Sequence, residues 1–248
     1  MSEDVMESSL GTPGPQKDRG NFNFVDLALA RKIVVRQGMS SVAYLFKPIP
    51  ESLWLKYFDG ITSTAEREGN QVVQRTDASS AGVALVDELL ARDGGSAAIP
   101  LAHKLALSNM LTNAYAPARQ EADDLSPEAI RLHCIWSTGD GDAMRRYKNL
   151  VHWFETPTAE QNRRYRRDDS RAQIVGGSRK GTTVFHGAQR TLAALYDELI
   201  VSVAGYAVKG VALEGREEIA RHMDTYHKVA AAAQLFAPAE VEIEDEEE

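Results

Sequence analysis

Apolar positions along this chain fall into helical stripes separated by short runs of strand type. The clearest stripe is residues 80–92, where Ala84-Leu-Val-Asp-Glu-Leu-Leu90 shows one apolar face and Gly94-Gly95 closes it. Pro100, at a favoured first-turn position, opens a helix through His103, Leu107 and Leu111. Leu27, Ala30, Ile33 and Val34 predict a helix over about 23–37, stopped by Gly38. Ser126-Pro-Glu-Ala-Ile reads as a helix start, with a serine cap, a first-turn proline and a first-turn acid. After Gly139-Asp-Gly-Asp142, the residues Met144, Tyr147, Leu150, Val151 and Phe154 lie on one helical stripe, interrupted by Pro157. Thr158-Ala-Glu-Gln161 is a capping box for a helix over 159–167. Helices over 188–203 and 215–236 complete the set, the last with Ile219, Met223, Tyr226, Ala230, Ala233 and Phe236 as its apolar face.

Strand signals are shorter. Ser41-Val-Ala-Tyr-Leu-Phe46 predicts a buried strand ended by Pro48 and Pro50, and residues 51–58 are apolar without a decisive period. Gln71-Val-Val-Gln-Arg75 is a strand candidate. Ala172–Val175 and Thr182–Phe185 read as two strands joined by a glycine-rich loop, and Lys209-Gly210 as the turn of a small hairpin. The predicted class is α+β, predominantly α-helical with short β-hairpins.

A faint internal echo organises these elements. Ala84-Leu-Val-Asp-Glu-Leu-Leu90 resembles Ala194-Leu-Tyr-Asp-Glu-Leu-Ile200, and His103-Lys-Leu-Ala106 resembles His227-Lys-Val-Ala230. A leucine follows each histidine by eight positions (Leu111, Leu235), and Ala-Pro-Ala closes each unit. The expectation is two pseudo-repeated units, 23–118 and 119–239, between a disordered arm at 1–22 and an acidic disordered tail at 240–248.

Charge changes that picture only at the end. The formal net charge is −8, but the tail alone holds seven acids, so removing it leaves −1 for the rest. A hydrophobic content of 43% is that of an ordinary globular protein, which places the chain in no fibrous or disordered class. The single cysteine, Cys134, points to a reducing compartment and to packing as a small apolar residue. No apolar run reaches membrane length and no secretory signal opens the chain, so a cytoplasmic location is expected.

No catalytic constellation stands out. Gly176-Gly-Ser-Arg-Lys-Gly-Thr182 has its lysine on the wrong side of the last glycine for a phosphate loop, and strand-forming residues follow. Asp140-Gly-Asp142 lacks the later oxygen donors of a calcium loop, because Met144 and Val151 occupy those positions. The histidines show no metal spacing, since His222 and His227 diverge by about 140° on one helix. His103 and His227 are each expected to pack or hydrogen-bond within their own unit. Asp87-Glu88 and Asp197-Glu198 read as exposed faces of amphipathic helices. Neither a catalytic residue, a metal ligand nor a cofactor is assigned.

The functional lead is a basic patch: Arg163, Arg164, Arg166, Arg167, Arg171, Arg179 and Lys180, with Tyr165 among them. Such a patch is a solvated face, a contact for another protein, or a hold on single-stranded nucleic acid. Asp168-Asp169 and an acidic pI near 5.4 weigh against a dedicated nucleic-acid binder.

The string Ala-Leu-Tyr-Asp-Glu-Leu-Ile-Val-Ser-Val-Ala-Gly-Tyr (194–206), His227-Lys-Val-Ala and the terminal acidic run resemble tail-assembly chaperones, or related virion-assembly proteins, of tailed bacteriophages. The resemblance spans about residues 150–248. It implies a non-enzymatic protein of the host cytoplasm or the virion that binds other protein subunits, copies of itself included. A nucleic-acid-associated regulator using the patch at 163–180 is the alternative.

Overall fold

The computed structural model describes residues 24–68, 71–95, 98–117, 125–126, 128–138, 144–169, 172–175, 182–185 and 187–237. The arm, the tail, the sequence boundary at 118–124, Asp142, Arg171, Arg179 and Lys180 lie outside them. The architecture is mixed α+β.

Two strands open the described chain, β1 (Val25–Asp26) and β2 (Arg31–Gln37), where the spacing predicted one helix. Ile33, Val34 and Val35 are β-branched and stiff at χ1, which suits a pleated ribbon better than a helix. Gly38, read as a helix stop, is a turn residue at φ +60°, the first central position of a two-residue loop where a type II′ turn needs glycine. The chain returns as β3 (Ser40–Phe46), paired with β2 in unbroken antiparallel register from Arg31–Phe46 to Gln37–Ser40. The predicted strand is therefore present, but only Phe46 of it is buried.

The undecided segment after Pro50 is helix α1 (Glu51–Gly60), which buries Trp54, Tyr57 and Phe58. Next come β4 (Thr62–Glu68) and β5 (Gln71–Asp77), then α2 (Ser79–Arg92) and α3 (Leu101–Leu111), the two helices foreseen here. Gly82 lets these helices approach closely: a Cβ there would lie 2.0 Å from the Ser108 hydroxyl.

The middle of the chain departs furthest from expectation. Both helices predicted after Ser126 and Asp142 are strands, β6 (Ala129–Ser137) and β7 (Met144–Phe154). They pair antiparallel with a register shift between Leu132 and Cys134, and β10 (Ile200–Ala204) pairs on the other side of β7. A central strand with a shifted register does not bury alternate residues. Leu150, Val151 and His152 are buried in succession, and that imitates a helical stripe. Between β7 and β10 lie α4 (Ala159–Asp169), β8 (Ala172–Val175), β9 (Thr182–Phe185) and α5 (Gln189–Leu199). The expected helix over 188–203 thus gives way to strand at Ile200. β8 and β9 pair as predicted, and β9 extends the β4–β5 sheet.

The Lys209-Gly210 hairpin is present as β11 (Tyr206–Val208) and β12 (Val211–Ala212), with both turn residues at positive φ. Asp26 holds that turn by accepting from the amides of Lys209 at 3.0 Å and Gly210 at 2.7 Å, while β1 pairs in parallel with β11. The last predicted helix is two helices, α6 (Arg216–His222) and α7 (Thr225–Leu235), broken where Asp224 caps α7 and accepts from the Tyr226 amide. One apolar core runs from Val25 to Phe236 and draws on nearly every helix and on the β6–β7–β10 sheet.

Candidate functional site

Two kinds of region hold chemistry: a polar centre inside the core, and exposed elements outside it. At the centre, Arg31 of β2 is buried and lies over the Trp136 ring, its guanidinium carbon 3.4 Å from the centroid. It donates to Asp224 at 2.7 Å and to the Leu111 carbonyl at 3.3 Å. Asp224 also accepts from the Trp54 indole at 3.3 Å. Burial lowers the Arg31 pKa, and Asp224 pulls the other way.

Beside this pair runs a chain of rings. The His152 Nδ1 lies 2.8 Å from the Tyr196 hydroxyl and its Nε2 2.9 Å from the Tyr206 hydroxyl, which in turn lies 2.9 Å from His227 Nδ1. Burial pushes His227 down to about 4 and His152 well below the usual histidine range, while both tyrosines rise well above theirs. At neutral pH the chain is uncharged. Each neutral imidazole donates at one nitrogen and accepts at the other, so His152 donates to one of its two tyrosines and accepts from the other. Cys134 packs as the sequence suggested, and burial pushes its thiol up to about 12, which keeps the thiolate out of reach at neutral pH.

A cleft of about 400 Å³ opens above the Arg31–Asp224 pair, with Trp136 and Asp224 in its wall and Lys209, Arg221, His222 and Glu51 among its lining. Its charges are mostly engaged already: Arg221 and His222 both meet Glu218, and the lining residue Lys228 meets Asp197 at 2.7 Å. A second cavity of about 370 Å³, between the end of α1 and the start of α5, has the paired Asp59 and Arg190 in its wall. Among the described residues no three His, Cys, Asp or Glu side chains gather as ligands for a metal ion. No helix there is long and apolar enough to cross a membrane.

The described part of the basic patch, residues 163–167, is placed on α4, whose capping box forms as predicted: the Gln161 amide donates to Thr158 Oγ1 at 3.2 Å, and the Thr158 amide to Gln161 Oε1 at 2.9 Å. The patch does not present one basic face. Arg164 turns toward α5 and pairs with Glu198 at 2.7 Å, and Arg167 meets Asp168 at 3.2 Å. Tyr165 packs its ring against Phe236, centroids 5.2 Å apart, rather than standing free as a stacking platform. Arg163 and Arg166 point outward, three positions apart on one side of the helix.

His103 and His227 bond as expected, to neighbours on their own side of residue 118: His103 meets Tyr44 at 2.8 Å and Gln37 at 3.1 Å. The carboxylate pairs were read as exposed faces. They keep that exposure in part and also bridge helices, Asp87 meeting Lys104 at 2.6 Å and Asp197 meeting Lys228, with Glu88 paired to Lys56 and Glu198 to Arg164.

The β2–β3 ribbon is the feature that sequence reasoning missed. It pairs only with itself among the described residues. One face carries Arg31, Ile33 and Phe46 into the core. The other shows Val34, 48% exposed, and Leu45, 54% exposed, with exposed Ala43 between them and Met39 fully exposed at the tip. The signal was available in Ile33-Val-Val35 and in Gly38 two residues before a serine pair.

Comparison with protein-family models, curated proteins and solved structures gives no match.

Proposed function

We propose that the protein is a non-enzymatic assembly factor that binds other protein subunits through the β2–β3 ribbon, in the manner of a tail-assembly chaperone or related virion-assembly protein of tailed phages. One observation carries this reading: a two-stranded ribbon with exposed Val34, Met39, Ala43 and Leu45 and, among the described residues, no further strand beside it. Free strand edges template pairing with another chain, and apolar groups on the adjoining face add burial to the hydrogen bonds. The nucleic-acid alternative is weaker, because Arg164 and Arg167 are spent on carboxylates and Tyr165 on Phe236.

The test is native mass spectrometry of complexes affinity-purified from the source lysate, with and without nuclease. Wild type is compared with Val34→Lys/Leu45→Lys and with an alanine variant at Arg163, Arg164, Arg166 and Arg167. A subunit that survives nuclease and is lost only from the ribbon variant is the expected result. Mass lost on nuclease and from the arginine variant would transfer the function to α4.

A further inference from the structure

We infer that the partner at the ribbon is a second copy of this chain, joined to the first by antiparallel pairing of β3 with β3 about a two-fold axis at Ala43. The inference rests on reading the ribbon as an assembly surface and names what occupies it.

The phase of the ribbon's own hydrogen bonds identifies the outward backbone. The Lys32 amide donates away from β3, to the Ser137 hydroxyl at 3.1 Å. In an antiparallel ladder every second pair turns its N–H and C=O groups outward. The pairs Lys32–Leu45, Val34–Ala43 and Arg36–Ser41 share that phase. Along β3 the outward groups therefore belong to Ser41, Ala43 and Leu45, on an edge where no other described strand pairs.

Charge then separates the two edges. β3 reads Ser40-Ser-Val-Ala-Tyr-Leu-Phe46 and holds no charged residue, no proline and no break in register. Solitary edge strands are ordinarily blunted by lysine, proline or a bulge, and β3 has none of these. Pairing two copies about Ala43 sets Ala43 against Ala43, Val42 against Tyr44 and Ser41 against Leu45, so no like charges meet. The same operation on β2, centred at Val34, would set Lys32 opposite Arg36 twice, a repulsive arrangement. An isologous contact of this kind closes on itself and yields a dimer rather than a fibre. The two ribbons become one four-stranded sheet whose outer face joins Val34, Ala43 and Leu45 of both copies.

The experiment is sedimentation velocity of the purified full chain over a dilution series, with far-UV circular dichroism as the control for folding. Wild type is expected to sediment as a dimer. Ala43→Lys, which places two lysines across the axis, is expected to weaken the dimer about fivefold or more, and Ala43→Glu to do the same. An equal mixture of the two variants is expected to recover the wild-type dimer, which strand disruption would not allow. A wild type that stays monomeric, a dimer indifferent to both variants, or a mixture that fails to recover would each overturn the inference. If wild type is monomeric while Val34→Lys/Leu45→Lys still abolishes capture of a different subunit, the second copy is excluded and the assembly surface stands. If that variant changes no capture, the assembly surface falls as well.

Discussion

The helix pairs α2/α3 and α5/α7 carry the same wiring at different depths. In the first, Asp87 meets Lys104 at 2.6 Å, and the adjacent His103 meets the Tyr44 hydroxyl at 2.8 Å. In the second, Asp197 meets Lys228 at 2.7 Å, and the adjacent His227 meets the Tyr206 hydroxyl at 2.9 Å. Around these shared contacts the settings diverge. The Lys104 side chain is 15% exposed, whereas that of Lys228 is 4% exposed and also donates to the Ala220 carbonyl at 2.6 Å. Tyr44 is half-buried, whereas Tyr206 is sealed between two histidines. Water can replace a lost partner in the outer pair and cannot in the inner one, so the same residues carry unequal stakes. The likeness stops at the helices: α2 and α3 follow one another closely, while β10, β11, β12 and α6 separate α5 from α7.

Removing the tyrosine hydroxyls gives the largest contrast. Tyr206→Phe leaves His152 Nε2 and His227 Nδ1 without partners in the core and is expected to cost about 3 kcal/mol, against about 1 kcal/mol or less for Tyr44→Phe. Urea unfolding measures both, and equal losses would end the distinction between the two pairs. Acid gives the next effect. The folded pKa of His227 lies near 4, below its unfolded value of about 6.5, so the unfolded chain binds the extra proton first. Stability is complete above about pH 6.5 and falls as the pH drops toward 4, by about 3 kcal/mol for this one group, with His152 acting in the same direction. A His227→Gln variant with an unchanged slope over that window would show that the inner chain is not sealed. The smallest contrast concerns the lysines: Lys228→Met should cost about 2 kcal/mol and Lys104→Met about 0.5 kcal/mol, because the more deeply buried Lys228 also leaves the half-buried Ala220 carbonyl unmatched. Thermal melts of the two variants decide this, and a larger loss at Lys104 would reverse the comparison.

Local chemistry was legible where it acted alone. The capping box of α4, the glycines after α2 and the Lys209-Gly210 turn each use neighbours within a few residues, and each formed as read. Strands set by distant partners were not legible. Ser126-Pro carried every local mark of a helix start, yet β6 follows it because β7 and the bridge from Tyr115 to His133 offer a ladder to that segment. Leu27, Ala30, Ile33 and Val34 fit a helical period by position alone, while the alternation Arg31, Ile33, Val35 was hidden by a buried arginine counted as polar. The polar centre was beyond reach for the same reason, since nothing in the chain announces that Arg31 will face Asp224. The arginine patch was visible as composition, but the carboxylates that neutralise part of it come from α5 and from α4 itself.

The Arg31–Asp224 contact spans 193 residues, while the ribbon that carries Arg31 closes over a two-residue turn. During synthesis at the ribosome the hairpin is complete long before its counter-ion emerges. The arginine that the ribbon carries into the core is therefore made long before the carboxylate that neutralises it, so the buried pair closes only once α7 is in place.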